Sequence, residues 1–276
     1  MNSRTLLYTA NAGFFLTEGD ITLAVDAFPR IADRGFSALS QENFQILCQR
    51  SDSDPTAPAD HPSMLPSTLT ADFHTLIHSV RYVIATHDHA DHYSARWTEA
   101  FLAAHPTAQF IGAVSDDRAP KLIGTANHTL SILLHGERPT YYLPGITLEF
   151  LQLPHEGAEF AAVANYGCLV TFTGRYGSKP CRVLFVGDAK PADPAIADWI
   201  SGRSIDLALL NFPWIALPKG RRFLDEHLPG TEIAVLHLPY EQDDRNHYNQ
   251  AAERAIRDWR PGHVTLLTDF GQLVRF

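Results

Sequence analysis

The run Thr86-His87-Asp88-His89-Ala90-Asp91-His92 concentrates three histidines and an aspartate, His87, His89, Asp91 and His92, in six residues. Such a cluster rarely arises without a metal. His87 and His89 are two apart, so in extended backbone both imidazoles point to one side. Asp91 and His92 follow at a tight turn into a helix, which can aim them at a second ion beside the first. Imidazole and carboxylate are ligands that suit zinc, and also iron or manganese. Three more candidates each follow a predicted strand: His155, Asp188 in Phe185-Val186-Gly187-Asp188, and His237 in Leu236-His237-Leu238-Pro239.

The elements that must position these residues are legible from apolar patterning. Leu6–Tyr8, Gly13–Leu16 and Ile21–Val25 read as strands, the last two joined by the turn Glu18-Gly19-Asp20 into a hairpin that Asp26 ends. Residues 27–67 are irregular, with the loop chemistry of Ser51-Asp52-Ser53-Asp54-Pro55, and such a long irregular segment is expected to be a lid or binding loop. Thr70–Ser79 has helical character. Val80–Ala85 is a strand that delivers the histidine run, and Ser94 caps a helix through Ala104. Phe110–Ala113 is a short strand, and Ser115–Gly124 is predicted helical with Gly124 as its stop. Strands follow at Ile146–Leu153, Tyr166–Phe172, Arg182–Val186, Leu207–Leu210, Ile233–Leu236 and Val264–Leu267. Helices are expected over Pro194–Ser201, Gly220–His227 and Asn246–Asp258. Strands and helices are interspersed throughout, which predicts a single α/β domain over residues 1–276. If the strands before His87, His155, Asp188 and His237 share a sheet layer, their carboxyl ends lie along one edge, where ligand sites of α/β proteins collect.

The bulk composition narrows the function classes. The 276 residues are 45% hydrophobic with a formal net charge of −9, and 14 are histidine. The negative balance and lack of basic arms argue against a nucleic-acid partner. No apolar stretch is long enough to span a membrane, and no signal peptide is visible at the N-terminus. Cys48, Cys168 and Cys181 fit no zinc ribbon or redox pair, and the cytoplasm is the expected compartment.

The spacing His87-x-His89-x-Asp91-His92 resembles the signature of the metallo-β-lactamase superfamily, and the resemblance extends from the opening hairpin to His237. It implies a four-layer αββα sandwich with the site at one edge. Position by position, it implies that His87, His89 and His155 bind a first metal, that Asp91, His92 and His237 bind a second, and that Asp188 bridges both. It implies two divalent ions, zinc first and manganese or iron as alternatives, and a supporting role for Asp26 beneath the metal loop. Class B lactamases commonly use a cysteine ligand where this chain has Asp188, so β-lactam hydrolysis is not expected. Flavodiiron-type relatives carry Glu where this chain has His89. Asn11-Ala12-Gly13-Phe14 resembles, over a short stretch, the branch containing ascorbate-6-phosphate lactonase and N-acylphosphatidylethanolamine phospholipase D.

The expected activity is a metal-dependent hydrolase that uses a metal-bridging hydroxide on a small ester, lactone or phosphoester, with Asp91 and Asp188 catalytic. Asp91 is the candidate proton shuttle to the leaving group. A mononuclear iron dioxygenase of the persulfide-dioxygenase type shares the signature run and is the alternative, with an RNA-processing nuclease third. Tyr240 and His247, near His237 in sequence, are candidate substrate contacts.

Overall fold

Strands buried for the most part on both faces build two layers of sheet, and in sequence order they are β1 (Arg4–Tyr8), β2 (Phe14–Glu18), β3 (Ile21–Val25), β4 (Val80–Ala85), β5 (Gln109–Gly112), β6 (Thr129–Ser131), β7 (Thr140–Leu143), β8 (Ile146–Leu153), β9 (Asn165–Phe172), β10 (Cys181–Phe185), β11 (Leu207–Asn211), β12 (Glu232–Leu236), β13 (Val264–Leu266) and β14 (Leu273–Arg275). This is a computed structural model, and it describes residues 4–30, 36–48, 76–77, 79–122, 128–173, 179–259 and 262–276. Among these residues the helices are α1 (Gln41–Cys48), α2 (Ala95–Ala104), α3 (Pro194–Ile200), α4 (Pro213–Ala216), α5 (Pro218–His227) and α6 (Tyr248–Trp259). One sheet has the order β14-β1-β2-β3-β4-β5-β6 and the other β13-β12-β11-β10-β9-β8-β7.

The period of two decides which face each side chain serves. On β2, Phe14 meets Phe185 of the opposite sheet edge-on at 5.7 Å, whereas its neighbour Phe15 packs outward on Phe101 of α2 at 6.2 Å. Phe44 of α1 stacks on Trp97 of α2 at 4.4 Å, so these two helices cover the outer face of the first sheet together. On β10, Val183 and Phe185 belong to the core shared by the two sheets, while Leu184 belongs to a second core with Ile196, Trp199, Phe223 and Leu224 under α3 and α5. Strands buried on both faces read as continuous apolar runs, as Leu207-Ala208-Leu209-Leu210 does. The result is an αββα sandwich. Phe101 is fully buried in it, and truncating it to Ala would cost about 3–5 kcal/mol.

Strand direction places the site. β8 and β10 are both antiparallel to β9, and β10, β11 and β12 are mutually parallel, so β8, β10 and β12 end at the same edge. In the first sheet β3 and β4 run parallel and also end together. The strands preceding the predicted ligands therefore do not share one sheet: β4 lies in the first, and β8, β10 and β12 lie in the second.

Several elements differ from expectation. Residues 115–122 are not helical and hold only a short turn at 116–118. Arg118 and Ala119 both donate to the carbonyl of Ser115, and then Pro120, which has no N–H, ends the run. The irregular segment 27–67 contains α1, whose Phe44 and Leu47 are buried; its residues 31–35 and 49–67 lie outside the described residues, as does most of the helix expected over Thr70–Ser79. β6, β7 and β14 are additional edge strands. No helix among the described residues is long and apolar enough to cross a membrane.

Candidate metal centre

The strand ends deliver the side chains, and local hydrogen bonds aim them. β3 ends at Asp26, a buried residue with φ +45°, in the left-handed region that a non-glycine residue seldom adopts. Its Oδ1 accepts from the backbone N–H of Thr86 at 2.8 Å, and its Oδ2 accepts from the Thr86 hydroxyl at 2.6 Å and from Nδ1 of His92 at 2.9 Å. The Thr86 hydroxyl has given its single proton to Asp26, so towards Nδ1 of His87, 3.0 Å away, it acts as acceptor. His155 follows the same rule: its Nδ1 lies 2.6 Å from the Glu156 carbonyl, which can only accept. His87, His92 and His155 thus carry the Nδ1 proton outward, leaving Nε2 to face inward. Outer contacts of this kind commonly orient metal-binding imidazoles.

The inward atoms converge. His87, His89 and His155 form one group whose candidate ligand atoms all lie within 4.8 Å of one another; Asp91, His92 and His237 form a second, and His87, His92 and Asp188 a third that links them. Asp188 stands in the middle, with Oδ2 3.3 Å from His92 Nε2 and 3.6 Å from His155 Nε2, and Oδ1 2.8 Å from His237 Nε2. It is aimed by Asn165, whose Oδ1 accepts from the Asp188 N–H at 3.0 Å and whose Nδ2 donates to the Val186 carbonyl. Gly187 between them has φ +55°, and a Cβ there would lie 2.4 Å from Asn165 Oδ1. His237 also has a positive φ, of 58°, and its N–H donates to the carbonyl of Asn11. Asn11 Nδ2 donates to Asp91 Oδ2 at 3.1 Å and to the Asp91 carbonyl at 3.0 Å, tying the opening hairpin to the histidine run.

The electrostatics of the bare cluster are strained. His92 Nε2 and His237 Nε2 face each other at 2.9 Å, as do His87 Nε2 and His89 Nδ1 at 3.1 Å. Burial disfavours a charged imidazole at His92, but Asp188, Asp26 and Asp91 together outweigh it and hold the His92 pKa well above the usual value. Burial pushes His87 well below it, reinforced by repulsion from His92. His89 is lowered by burial and by His155 and His92. Burial alone would raise Asp188, but His237 and His92 pull it well below the usual carboxylate range. His155 Nε2 is buried without a hydrogen-bond partner. The orphaned His155 Nε2, a central carboxylate and crowded imidazoles fit cations that would satisfy them together. The donor set holds no thiol: Cys48, Cys168 and Cys181 are free and outside the cluster, and burial pushes Cys48 and Cys181 up to about 12.

The structure brings together all seven residues expected as ligands, with Asp26 directly behind them. It does not bring Tyr240 or His247 to the adjoining cavity. The Tyr240 hydroxyl is turned away to donate to the Thr9 carbonyl, and its ring packs edge-on against Tyr8. His247 is exposed just before α6, and its neighbour Tyr248 lines the cavity instead. The cavity measures about 460 Å³, and Phe36, Phe160, Phe212 and Tyr248 line it along with His89, Asp91, His155, Asp188 and His237. Sequence reasoning gave no role to Thr86, Asn165 or these four rings. Only Thr86, adjoining the histidine run, carried a positional signal.

Sheet order, site edge and donor cluster define the metallo-β-lactamase fold, and comparison with solved structures agrees. The chain is similar to the metallo-β-lactamase fold protein YhfI from Bacillus subtilis, at 14% identity and a TM-score of 0.59, covering 100% of both chains. A "possible metal-dependent hydrolase" from Veillonella parvula DSM 2008 aligns at 15% identity and a TM-score of 0.61 over 100% of both chains. CmlA, a diiron β-hydroxylase from Streptomyces venezuelae, aligns at 15% identity and a TM-score of 0.58, over 100% of this chain and 55% of that one. No protein-family model and no curated protein matches the sequence.

Proposed function

We propose that the protein is a metal-dependent hydrolase acting on a small ester, lactone or phosphoester with two divalent cations. The observation that carries this reading is the convergence of five imidazoles and two carboxylates in linked groups at the floor of one cavity. His87, His89 and His155 would hold one cation, Asp91, His92 and His237 the other, with Asp188 between them. Bound there, the cations would supply Lewis acidity and a nucleophile derived from water at neutral pH.

The remaining work belongs to the chain itself. Asp26, Thr86 and the Glu156 carbonyl keep the imidazoles in the tautomer that turns Nε2 inward. Asn165 holds the Asp188 backbone, and Asn11 holds the Asp91 carboxylate. Asp91 lines the cavity, and because Asn11 occupies its Oδ2, Oδ1 is the atom that would carry a proton to the leaving group. Aromatic side chains exclude water from the reacting centre. We further propose that the described part of the segment 27–67 helps to cover the site; the placement of Phe36 in the cavity wall supports this. The three free cysteines fit a reducing compartment such as the cytoplasm.

Elemental analysis of freshly purified protein tests the reading, followed by turnover of generic ester, lactone and phosphodiester substrates. Two zinc or manganese ions per chain with hydrolysis are expected. One iron per chain with substrate-dependent oxygen uptake would replace the hydrolase by an oxygenase, a chemistry for which this donor set is also suited. No bound metal would end both.

A further inference from the structure

The cavity over the donor cluster has two aromatic walls, and its described walls carry no cationic side chain. On the His237 side, Phe36 meets that imidazole edge-on with ring centres 5.0 Å apart and stacks on Tyr248 at 5.7 Å and 14°. Tyr248 in turn meets Phe212 at 5.8 Å. On the other side, Phe160 contacts the rings of His89 and His155 at 5.1 and 4.9 Å. Phe36 is not loosely placed: next to it, Ser37 Oγ donates to Asp243 Oδ2 and accepts from the Tyr240 N–H, both at 2.7 Å. The first wall is therefore anchored to the segment that follows His237.

The polar groups of the same cavity speak about charge. Among its described lining residues there is no lysine or arginine, and Glu156 stands in the wall with a buried Oε2 that has no hydrogen-bond partner. Proteins that bind a phosphoester commonly clamp its non-reacting oxygens with arginine or lysine; here a carboxylate occupies the wall. Asn211, only 4% exposed, also lines the cavity, and its Oδ1 lacks a partner. A buried acceptor left unmatched by the protein suits a ligand that brings a donor. The volume of about 460 Å³ accommodates a small organic molecule.

Resting on the hydrolase reading, we infer that the substrate is an uncharged ester or lactone that carries an aromatic or similarly bulky apolar group and an N–H or O–H donor. The apolar group packs between the Phe36–Tyr248–Phe212 wall and Phe160, and the donor is received by Asn211. Away from the cations, the described wall offers no side-chain cation to hold a phosphate or a carboxylate, and Glu156 opposes one there.

A matched series of probes tests this on the metal-loaded full chain. N-acetylphenylalaninamide, its free acid N-acetylphenylalanine, and N-acetylalaninamide differ in charge or ring alone, and their binding is followed by ligand-observed NMR titration. The ring-bearing amide is expected to bind at least about fivefold more tightly than either of the others. Phe36→Ala and Phe160→Ala should each weaken it by about fivefold or more, with metal content and melting temperature preserved; Phe36→Leu and Phe160→Leu serve where an alanine variant fails to fold. Tighter binding of the free acid, no binding of the ring-bearing amide, or variants that bind it as wild type does would overturn the inference. Turnover of N-acetylphenylalanine methyl ester is measured alongside. Wall-dependent binding with no turnover of this ester or of the generic ester, lactone and phosphodiester substrates would leave the pocket assignment standing and remove the hydrolase reading; turnover with no dependence on the walls would do the reverse.

Discussion

Replacing Asp26 by asparagine isolates the outer contact that orients His92. Asp26 accepts three hydrogen bonds: from the Thr86 N–H at 2.8 Å, from the Thr86 hydroxyl at 2.6 Å and from His92 Nδ1 at 2.9 Å. An asparagine of the same shape has one acceptor edge and one donor edge. If its oxygen faces the Thr86 N–H, its NH2 confronts the Thr86 hydroxyl and His92 Nδ1. His92 then moves its proton to Nε2, the atom that faces Asp188 and His237. If the amide is reversed, its NH2 meets the Thr86 N–H, and a buried donor is left unsatisfied at a cost of about 1–3 kcal/mol. Either way the inward lone pair of His92 is lost or the loop beneath it is displaced. Losing an outer partner typically costs 10–100-fold in metal affinity, or about 1.4–2.7 kcal/mol. Chelator-competition titration of Asp26→Asn should therefore show one weakened ion per chain, and calorimetry a melting temperature lower by roughly 2–4 °C per kcal/mol lost. Two ions bound at wild-type affinity would refute the tautomer argument.

Three further outcomes are expected. Asp188→Ala should abolish turnover and lower the metal stoichiometry while far-ultraviolet circular dichroism stays native; turnover with two ions retained would contradict a position between the cations. Gly187→Ala must hold φ +55° and place a Cβ 2.4 Å from Asn165 Oδ1, so it should lose more than the about 1–2 kcal/mol of backbone strain alone and release metal. Gly202→Ala, with φ +71° and nothing within 4 Å, is the control that pays strain only, and equal melting losses for the two would show that the Asn165 clamp is irrelevant. The last outcome concerns pH. The three surrounding carboxylates outweigh burial at His92, so its metal-free folded pKa is raised, and its contribution to stability is full below the unfolded value of about 6.5 and lost as pH rises through the folded value. A cation must displace that proton, so affinity should fall by up to about tenfold per pH unit below the folded pKa, with proton release visible by titration calorimetry in buffers of different ionisation enthalpy. A flat affinity across that range would mean that His92 is neutral before metal arrives.

The parts of the fold that the sequence disclosed are those in which local pattern and tertiary role agree. β3, β4 and β8 are predicted to the residue, because each is an apolar run bounded by a turn or a polar ligand, and α2 is announced by Ser94, whose hydroxyl accepts from the Trp97 N–H. The seven clustered residues were legible through their types and strand-end positions, while the split of their strands between two sheets was not, since pairing partners leave no trace in a single strand. β7 had a readable signal that went unused: Pro144-Gly145, with Gly145 at φ +78°, is a two-residue connection between Leu143 and Ile146. α1 was hidden because its few buried residues, Phe44 and Leu47, look like scattered apolar residues in a polar segment. The cavity rings escaped notice for a related reason. Phe36, Phe160, Phe212 and Tyr248 come from four separate stretches, and no spacing connects them.

His92 and His237, whose ring nitrogens are 2.9 Å apart in space, are separated by 145 residues of chain. One half of the donor set hangs from the first sheet and the other from the second, so the centre exists only once the sandwich has closed. A cation held across that seam would act as a rivet: loosening the packing between Phe14 and Phe185, which touch no donor atom directly, would show up as weaker metal retention, and stripping the metal would ease the two layers apart. During folding the danger is the opposite one. His87, His89 and His92 emerge as a ready chelating loop long before their partners are in place, and a cation captured there too early, completed by the wrong side chains, would fasten a misassembled intermediate.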